Sequence, residues 1–442
     1  MLIEDLSFYL RKGKDIFVKI TFMELYYTFS VLIVLASFFA YLNLRFLKLP
    51  GTIGIMIIAM LVSVGIRLLG DSYFPATTKH FFALIKEFDF NEILMGAMLN
   101  FLLFAGALHV NMADLKEQKV PIMIYSTVSV VLSALIISML LFYIAPFFGI
   151  RIPYLFCLVF GTLISPTDPI VVLGVLKQAK VPKRIETKIV GESLFNDGVA
   201  VVMFAVVMEM ATNPTFDMSF GSIAWLFAKE GIGGLLLGAV LGFTASKVLK
   251  KIDDYKVSVL ITLSIVMGGF LIAKSLHVSS PLAMVVAGLI IGNYGKKVAM
   301  SEVTKDYLEK FWELIDEILN AILFLFIGFE LLLLPNLDKQ LVIGLVTILI
   351  VLFARISSIV LPWKFFDIFK FFGIKSAYNK GSLTVLVWGG IRGGVSIALV
   401  LSLPDGEYKN LLLEITYIVV LFSIVVQGLT VGKVANKVLE KE

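Results

Sequence analysis

The stretch Gly161-Thr162-Leu163-Ile164-Ser165-Pro166-Thr167-Asp168-Pro169 decides how this chain is read. Two prolines and an aspartate interrupt an apolar run that extends over about 153–176. Pro166 and Pro169 lack an N–H, so carbonyls one turn earlier are left without helical partners. In hydrocarbon, every freed backbone group needs an internal partner or a polar cavity. A helix broken in mid-run with a carboxylate in the break is therefore expensive unless the break is a site.

The surrounding chain justifies the hydrocarbon. Of 442 residues, 59% are hydrophobic and 16% charged, with a mean hydropathy of +0.95. Soluble proteins carry roughly 45–50% apolar and about 25% charged residues. Apolar runs near 20 residues recur throughout, which points to an all-α polytopic membrane protein. Thirteen candidate spans are read: 25–46, 52–69, 93–110, 121–147, 153–176, 189–212, 231–249, 257–276, 280–295, 313–334, 339–361, 381–403 and 411–432. The polar stretch 296–312 is expected to be an amphipathic connector on the cytoplasmic face. With this count, alternate loops differ about two to one in basic residues. The positive-inside rule then puts the C-terminus in the cytoplasm and the N-terminus outside. Met1–Lys19 mixes acids, bases and aromatics, and no cleaved signal peptide is read there.

Composition narrows the chemistry. The single cysteine, Cys157, excludes a disulfide framework or cysteine metal site, and His80, His109 and His277 are scattered. No P-loop pattern is present, so ATP-driven transport by this chain alone is not expected. The net charge of +5 is accounted for by the basic loops, and no nucleic-acid partner or cofactor is expected.

A second break, Trp388-Gly389-Gly390-Ile391-Arg392-Gly393-Gly394, interrupts the twelfth span. If spans 1–6 and 8–13 form two six-helix halves, each break falls on the fifth span of its half. An offset of seven spans makes the halves inverted, and paired broken helices of inverted repeats point to a mid-membrane binding site.

Five charged residues lie well inside spans: Asp168, Glu192, Asp197, Arg355 and Arg392. Each costs on the order of 2.5–3.5 kcal/mol at mid-membrane by insertion scales. Asp168, the Thr167 hydroxyl and freed carbonyls together suit a hard monovalent cation, although Asp168 could equally cap the half-helix that follows. On span six, Gly191-Glu192-Ser193-Leu194-Phe195-Asn196-Asp197-Gly198 puts Ser193, Asn196 and Asp197 on one face. Glu192 falls about 140° away from Asp197 at helical spacing. Asp197 and Ser193 are therefore expected to face Thr167 and Asp168, while Glu192 turns to an arginine. Arg355 and Arg392 are the candidates, and a structural Glu192–Arg355 pair is preferred. Arg392 is expected to balance Asp168 or the C-terminal dipole of a half-helix. Glu209, Glu330 and Glu414 are read as lying near headgroup water, and Asp316 and Glu317 as facing cytoplasmic water.

A carboxylate in a low-dielectric pocket is disfavoured as a bare anion, so it takes up either a proton or a cation. Occupancy by one excludes the other, which makes an exchanger. Asn196 adds no charge, so Asp197 is the main exchangeable acid and the expected stoichiometry is one cation for one proton.

Ser165-Pro166-Thr167-Asp168-Pro169, Gly191 to Gly198, and Arg392-Gly393-Gly394 followed by Ser402-Leu403-Pro404 resemble the sodium/proton exchangers of the electroneutral branch of the monovalent cation/proton antiporters. Phe311-Trp312-Glu313 leading to Asn320 and Gly328 is also similar. The resemblance implies thirteen helices with the fifth and twelfth crossing as unwound segments. It implies scaffold and dimer-forming helices in 1–120, core helices in 121–212, a linking helix in 213–256, further scaffold in 257–335, and core helices with a short tail in 336–442. It also implies elevator-like alternating access in a microbial plasma membrane, and a cation held near Asp197, Asp168, Thr167, Ser193 and Asn196. The exchanged cation is expected to be Na⁺, with Li⁺ or K⁺ as alternatives, and membrane lipids and a second copy of the chain are the expected partners. The family's structural ion bridge maps onto Glu192 and Arg355. At Leu102-Leu103-Phe104-Ala105-Gly106, this chain lacks the third-span acid that many relatives carry. A cation channel would need a continuous pore, and no Ser/His or metal constellation suggests an intramembrane enzyme.

Overall fold

In the computed structural model, the described residues are 29–70, 98–169, 172, 183–296, 300–331, 337–368 and 380–439. The N-terminal segment, His80, the start of the third span, the basic loop through 182, and the loop 369–379 lie outside them.

The described residues are helical, with no strand among them. Among the described residues, eight helices are long and apolar enough to cross a membrane. These are α1 (Phe29–Leu47), α2 (Gly51–Leu68), α4 (Lys119–Phe148), α6 (Ile185–Thr212), α7 (Phe220–Leu249), α8 (Tyr255–Leu276), α11 (Gln340–Phe365) and α14 (Lys409–Val438). Three apolar helices are shorter: α3 (Leu99–His109), α5 (Tyr154–Ile164) and α9 (Ser280–Gly295). α10 is Glu302–Glu330, and the twelfth predicted span is two pieces, α12 (Lys380–Trp388) and α13 (Gly394–Leu401).

Two compact units are present. In the smaller, residues 29–70 pack with 321–331. Asn43 closes the turn between α1 and α2: its amide donates to the Leu49 carbonyl at 2.9 Å, and its oxygen accepts from the Leu49 N–H at 3.1 Å. Ser63 donates to the carbonyl of Ala59 at 2.8 Å and lies 3.0 Å from that of Gly328. These contacts satisfy polar groups that hydrocarbon would leave orphaned.

The larger unit holds the broken helices. Close backbone approach builds it, as expected where lipid supplies no hydrophobic drive between helices. Gly234 and Gly238 of α7 lie against the carbonyls of Ser279, which caps α9, and of Ala283 within it, and Gly161 of α5 abuts the Ala134 carbonyl of α4. Phe104, Met284, Leu308 and Trp312 belong to one enclosed apolar cluster. Within it, the Trp312 indole donates to the Thr262 hydroxyl at 3.0 Å.

Three sequence expectations need correction. The stretch 302–312 is not a separate connector but the first three turns of α10. Leu308 and Trp312 are both 0% exposed, so the apolar stripe of the span begins earlier than its charges suggest. Glu330 and Glu414 are buried rather than near headgroup water. Residues 412–420 of α14 are enclosed on every side, so no face there is left for solvent. Asp316 is half-buried while Glu317 is exposed, because helical spacing puts Asp316 one turn beyond Trp312 on the inner stripe.

Candidate functional site

The first break is local chemistry made visible. α5 stops at Ile164 with Ser165 as its cap, and residues 166–168 leave helical geometry before the chain turns again at Pro169. Ser165 donates its hydroxyl back to the Gly161 carbonyl at 2.6 Å, which satisfies a polar side chain inside the last turn of α5. The second break separates α12 from α13 over residues 389–393. The two breaks meet: the Asp168 N–H donates to the Ile391 carbonyl at 2.7 Å. Each interruption thus satisfies part of the backbone that the other has freed.

Both arginines serve these interruptions. Arg392 is 1% exposed, and its Nη1 donates to the carbonyls of Ser165 at 3.0 Å and Pro166 at 3.3 Å. A cation therefore sits at the C-terminal end of α5, where the partial negative charge of the helix dipole gathers. Arg355 donates from Nη2 to the Leu386 carbonyl of α12 at 2.9 Å. Gln427 donates to the next exposed acceptor there, the Trp388 carbonyl, at 3.2 Å. Ser423 accepts from the Arg392 backbone N–H at 2.9 Å. Ser423 and Gln427 were not singled out from sequence. The only signal available was a pair of polar residues four apart in an otherwise apolar span.

Glu192 faces Arg355. Nη1 donates to Oε1 at 2.6 Å and Nη2 to Oε2 at 3.2 Å, a two-pronged pair with both side chains buried. Such geometry is strong because both carboxylate oxygens are engaged. Gly390 makes room for it, since a Cβ there would meet Arg355 Nε.

The other face of α6 is arranged differently. The Asn196 amide donates to Thr167 Oγ1 at 2.7 Å, and Thr167 Oγ1 lies 3.1 Å from Ser193 Oγ. The Thr167 backbone N–H points to Asn196 Oδ1 at 3.4 Å. Asp197 is 4% exposed, and its Oδ1 is buried without a hydrogen-bond partner. Asp168, 7% exposed, is near enough that the two carboxylates repel. Gly393 is pressed against Asp168, and a Cβ there would collide with its carboxylate. The structure therefore brings Thr167, Asp168, Ser193, Asn196 and Asp197 together, and keeps Glu192 apart from them.

This cluster is rich in hard oxygen acceptors, and among the described residues no cationic side chain is bonded to Asp197 Oδ1. An unpaired carboxylate oxygen in such surroundings calls for a proton, a cation or water. Among the described residues, no group of three or more His, Cys, Asp or Glu side chains could hold a resident metal.

Broken helices meeting at buried acids, within a bundle of apolar helices, define an integral membrane protein with a buried polar centre. The sodium/hydrogen exchanger transmembrane family matches residues 33–437, and the chain belongs to that family, whose members are transporters rather than enzymes. It is 45% identical over 415 residues to the Na(+)/H(+) antiporter NhaP of Pseudomonas aeruginosa, covering 92% of this chain and 96% of that protein. It is 33% identical over 403 residues to the Na(+)/H(+) antiporter NhaH of Halobacillus dabanensis, covering 89% and 93%. In fold it is similar to the sodium proton antiporter MjNhaP1 of Methanocaldococcus jannaschii, with a TM-score of 0.72 at 18% identity over 95% of this chain and 99% of that one.

Proposed function

We propose that the chain exchanges Na⁺ for H⁺, one for one, with both competing for Asp197. The observation that carries this reading is the buried, unpartnered Oδ1 of Asp197 beside Thr167, Ser193 and Asp168. Relatives that bear the name Na(+)/H(+) antiporter support sodium as the cation. In this reading Asp197 is the exchangeable acid, and Asp168, Thr167, Ser193 and Asn196 complete or shape the oxygen shell. Glu192, Arg355 and Arg392 hold the frame by balancing fixed charges and helix ends. Because one charge replaces one charge at Asp197, the cycle moves little net charge.

Alternating access is of the elevator type. Two inverted halves supply the moving core from 121–212 and 336–442, and the dimer-forming scaffold from 1–120 and 257–335. The protein is a homodimer in the plasma membrane, with its C-terminus in the cytoplasm. The test is transport by the purified chain in vesicles containing a pH dye, with Na⁺, Li⁺ or K⁺ added in turn. Dye response to Na⁺ that is insensitive to an imposed voltage is expected. Silence toward all three cations overturns antiport, and a strong voltage dependence overturns the one-for-one exchange.

A further inference from the structure

α10 presents an inner stripe at four-residue spacing. Leu308 and Trp312 are enclosed, Asp316 is half-buried, and Asn320 is 1% exposed. Asp316 has no packing reason to be on that stripe, since part-burial strips water from a carboxylate. Among the described residues it has no ion-pair partner, and the Asn320 side chain is the group that hydrogen-bonds its carboxylate. The Asn320 amide folds back and donates to the Asp316 carbonyl at 2.8 Å, leaving its own Oδ1 buried without a partner.

A neighbouring helix adds a third polar group at this level. The His109 ring lies 3.3 Å from the Glu309 carbonyl, and the Phe104 and Trp312 rings are 4.6 Å apart. α3 and α10 therefore run antiparallel. One turn beyond Phe104 is Asn100, and one turn beyond Trp312 is Asp316, so the two come level. Asn100 is 0% exposed. The exposed Glu313 and Glu317 of α10, and Asp168 from the broken α5, all act on the Asp316 carboxylate with negative charge. Negative charge is thus gathered around Asp316, and such a gathering concentrates cations.

We propose that Asp316, Asn320 and Asn100 form a second, outer station that holds a partly hydrated alkali cation on its way to Asp168 and Asp197. The station rests on the antiport reading above. One carboxylate and two amide oxygens suit Na⁺ but hold it loosely, as a relay requires, since a deep well would trap the ion.

Two measurements on the full chain test the station. In vesicles, Asp316→Asn raises the half-saturating Na⁺ concentration roughly five- to tenfold, as expected for removing one nearby charge at intermediate dielectric. The maximal rate stays within about twofold, and Asp316→Glu restores the wild-type value. Asn320→Ala, which changes no charge, shifts half-saturation in the same direction and serves if Asp316→Asn does not fold. In the second measurement, Asp197→Asn protein is melted with and without Na⁺. A Na⁺-dependent rise in Tm persists there and disappears when Asp316→Asn is added. Unchanged half-saturation in both Asp316→Asn and Asn320→Ala, or no Na⁺ effect on the Tm of Asp197→Asn, overturns the station. A wild-type chain that moves no cation overturns the antiport reading itself.

Discussion

Glu192 and Asp197 lie five residues apart on one helix, both almost fully buried, in opposite surroundings. Glu192 has both oxygens engaged by one guanidinium. Asp197 has a buried oxygen that nothing engages, with a second carboxylate nearby. Burial alone therefore does not separate the two. What distinguishes the two is whether the charge is already answered inside the protein. A satisfied pair is fixed because breaking it strands its partner. An unanswered carboxylate is free to be answered from outside.

The largest expected effect separates these roles outright. Asp197→Asn abolishes cation-dependent proton movement in vesicles while the melting temperature stays close to wild type. If it unfolds the protein instead, the two carboxylates have the same structural role and the contrast collapses. Next, Glu192→Gln lowers stability by about 3–5 kcal/mol, because Arg355 is left as an uncompensated buried charge. Thermal melting in detergent checks this, and replacing both partners, as Glu192→Leu with Arg355→Leu, recovers much of the loss. A Glu192→Gln protein of full stability that is dead in transport would move Glu192 into the ion site.

The second break offers a finer version of the same contrast, since Gly390 touches Arg355 and Gly393 touches Asp168. Gly390→Ala costs about 1–3 kcal/mol in melting, as overpacking does, with a smaller change in transport. Gly393→Ala displaces the Asp168 carboxylate and weakens Na⁺ affinity by roughly tenfold at a comparable strain. Equal effects of the two on stability and affinity would show that bridge and site respond as one.

The smallest effect concerns an acid answered by hydroxyls in water. Asp217, before α7, accepts from the Ser219 N–H and from the Ser219 and Ser222 hydroxyls. Those bonds hold its carboxyl below its usual range. Its contribution to the α7 start is therefore full above the unfolded value near about 4. It is lost as pH falls through the lower folded value. The protection of amides in the first turn of α7, taken relative to their intrinsic exchange rates, falls slightly toward pH 3, and Asp217→Asn removes that pH dependence.

Much of this arrangement was legible before any coordinates. Proline chemistry announced the break at Pro166, and a run of glycines announced the one at Gly389. The 100° step of a helix separated Glu192 from the Ser193–Asn196–Asp197 face. The target of Arg392 stayed open between Asp168 and a helix end, because spacing along one helix says nothing about which carbonyl lies across a gap. The buried state of Glu330 and Glu414 was not legible, since position near the end of an apolar run does not reveal how many neighbours enclose it. Asp316 was misjudged for a related reason: the charges of α10 disguised the turn at which its apolar stripe begins.

By itself, the sequence determined that the chain is helical and membrane-spanning, where its helices break, and that Glu192 and Asp197 lie on different faces. These follow from local rules: hydrocarbon demands internal hydrogen bonding, proline withholds a donor, and helical periodicity is fixed by backbone geometry. Only the tertiary structure decided which charges are answered. It joined the two breaks through Asp168 and Ile391, set Arg355 on Glu192 and Arg392 on the end of α5, and left Asp197 Oδ1 open. Whether a buried charge finds a partner depends on side chains far away in sequence, and only packing brings those within hydrogen-bond distance.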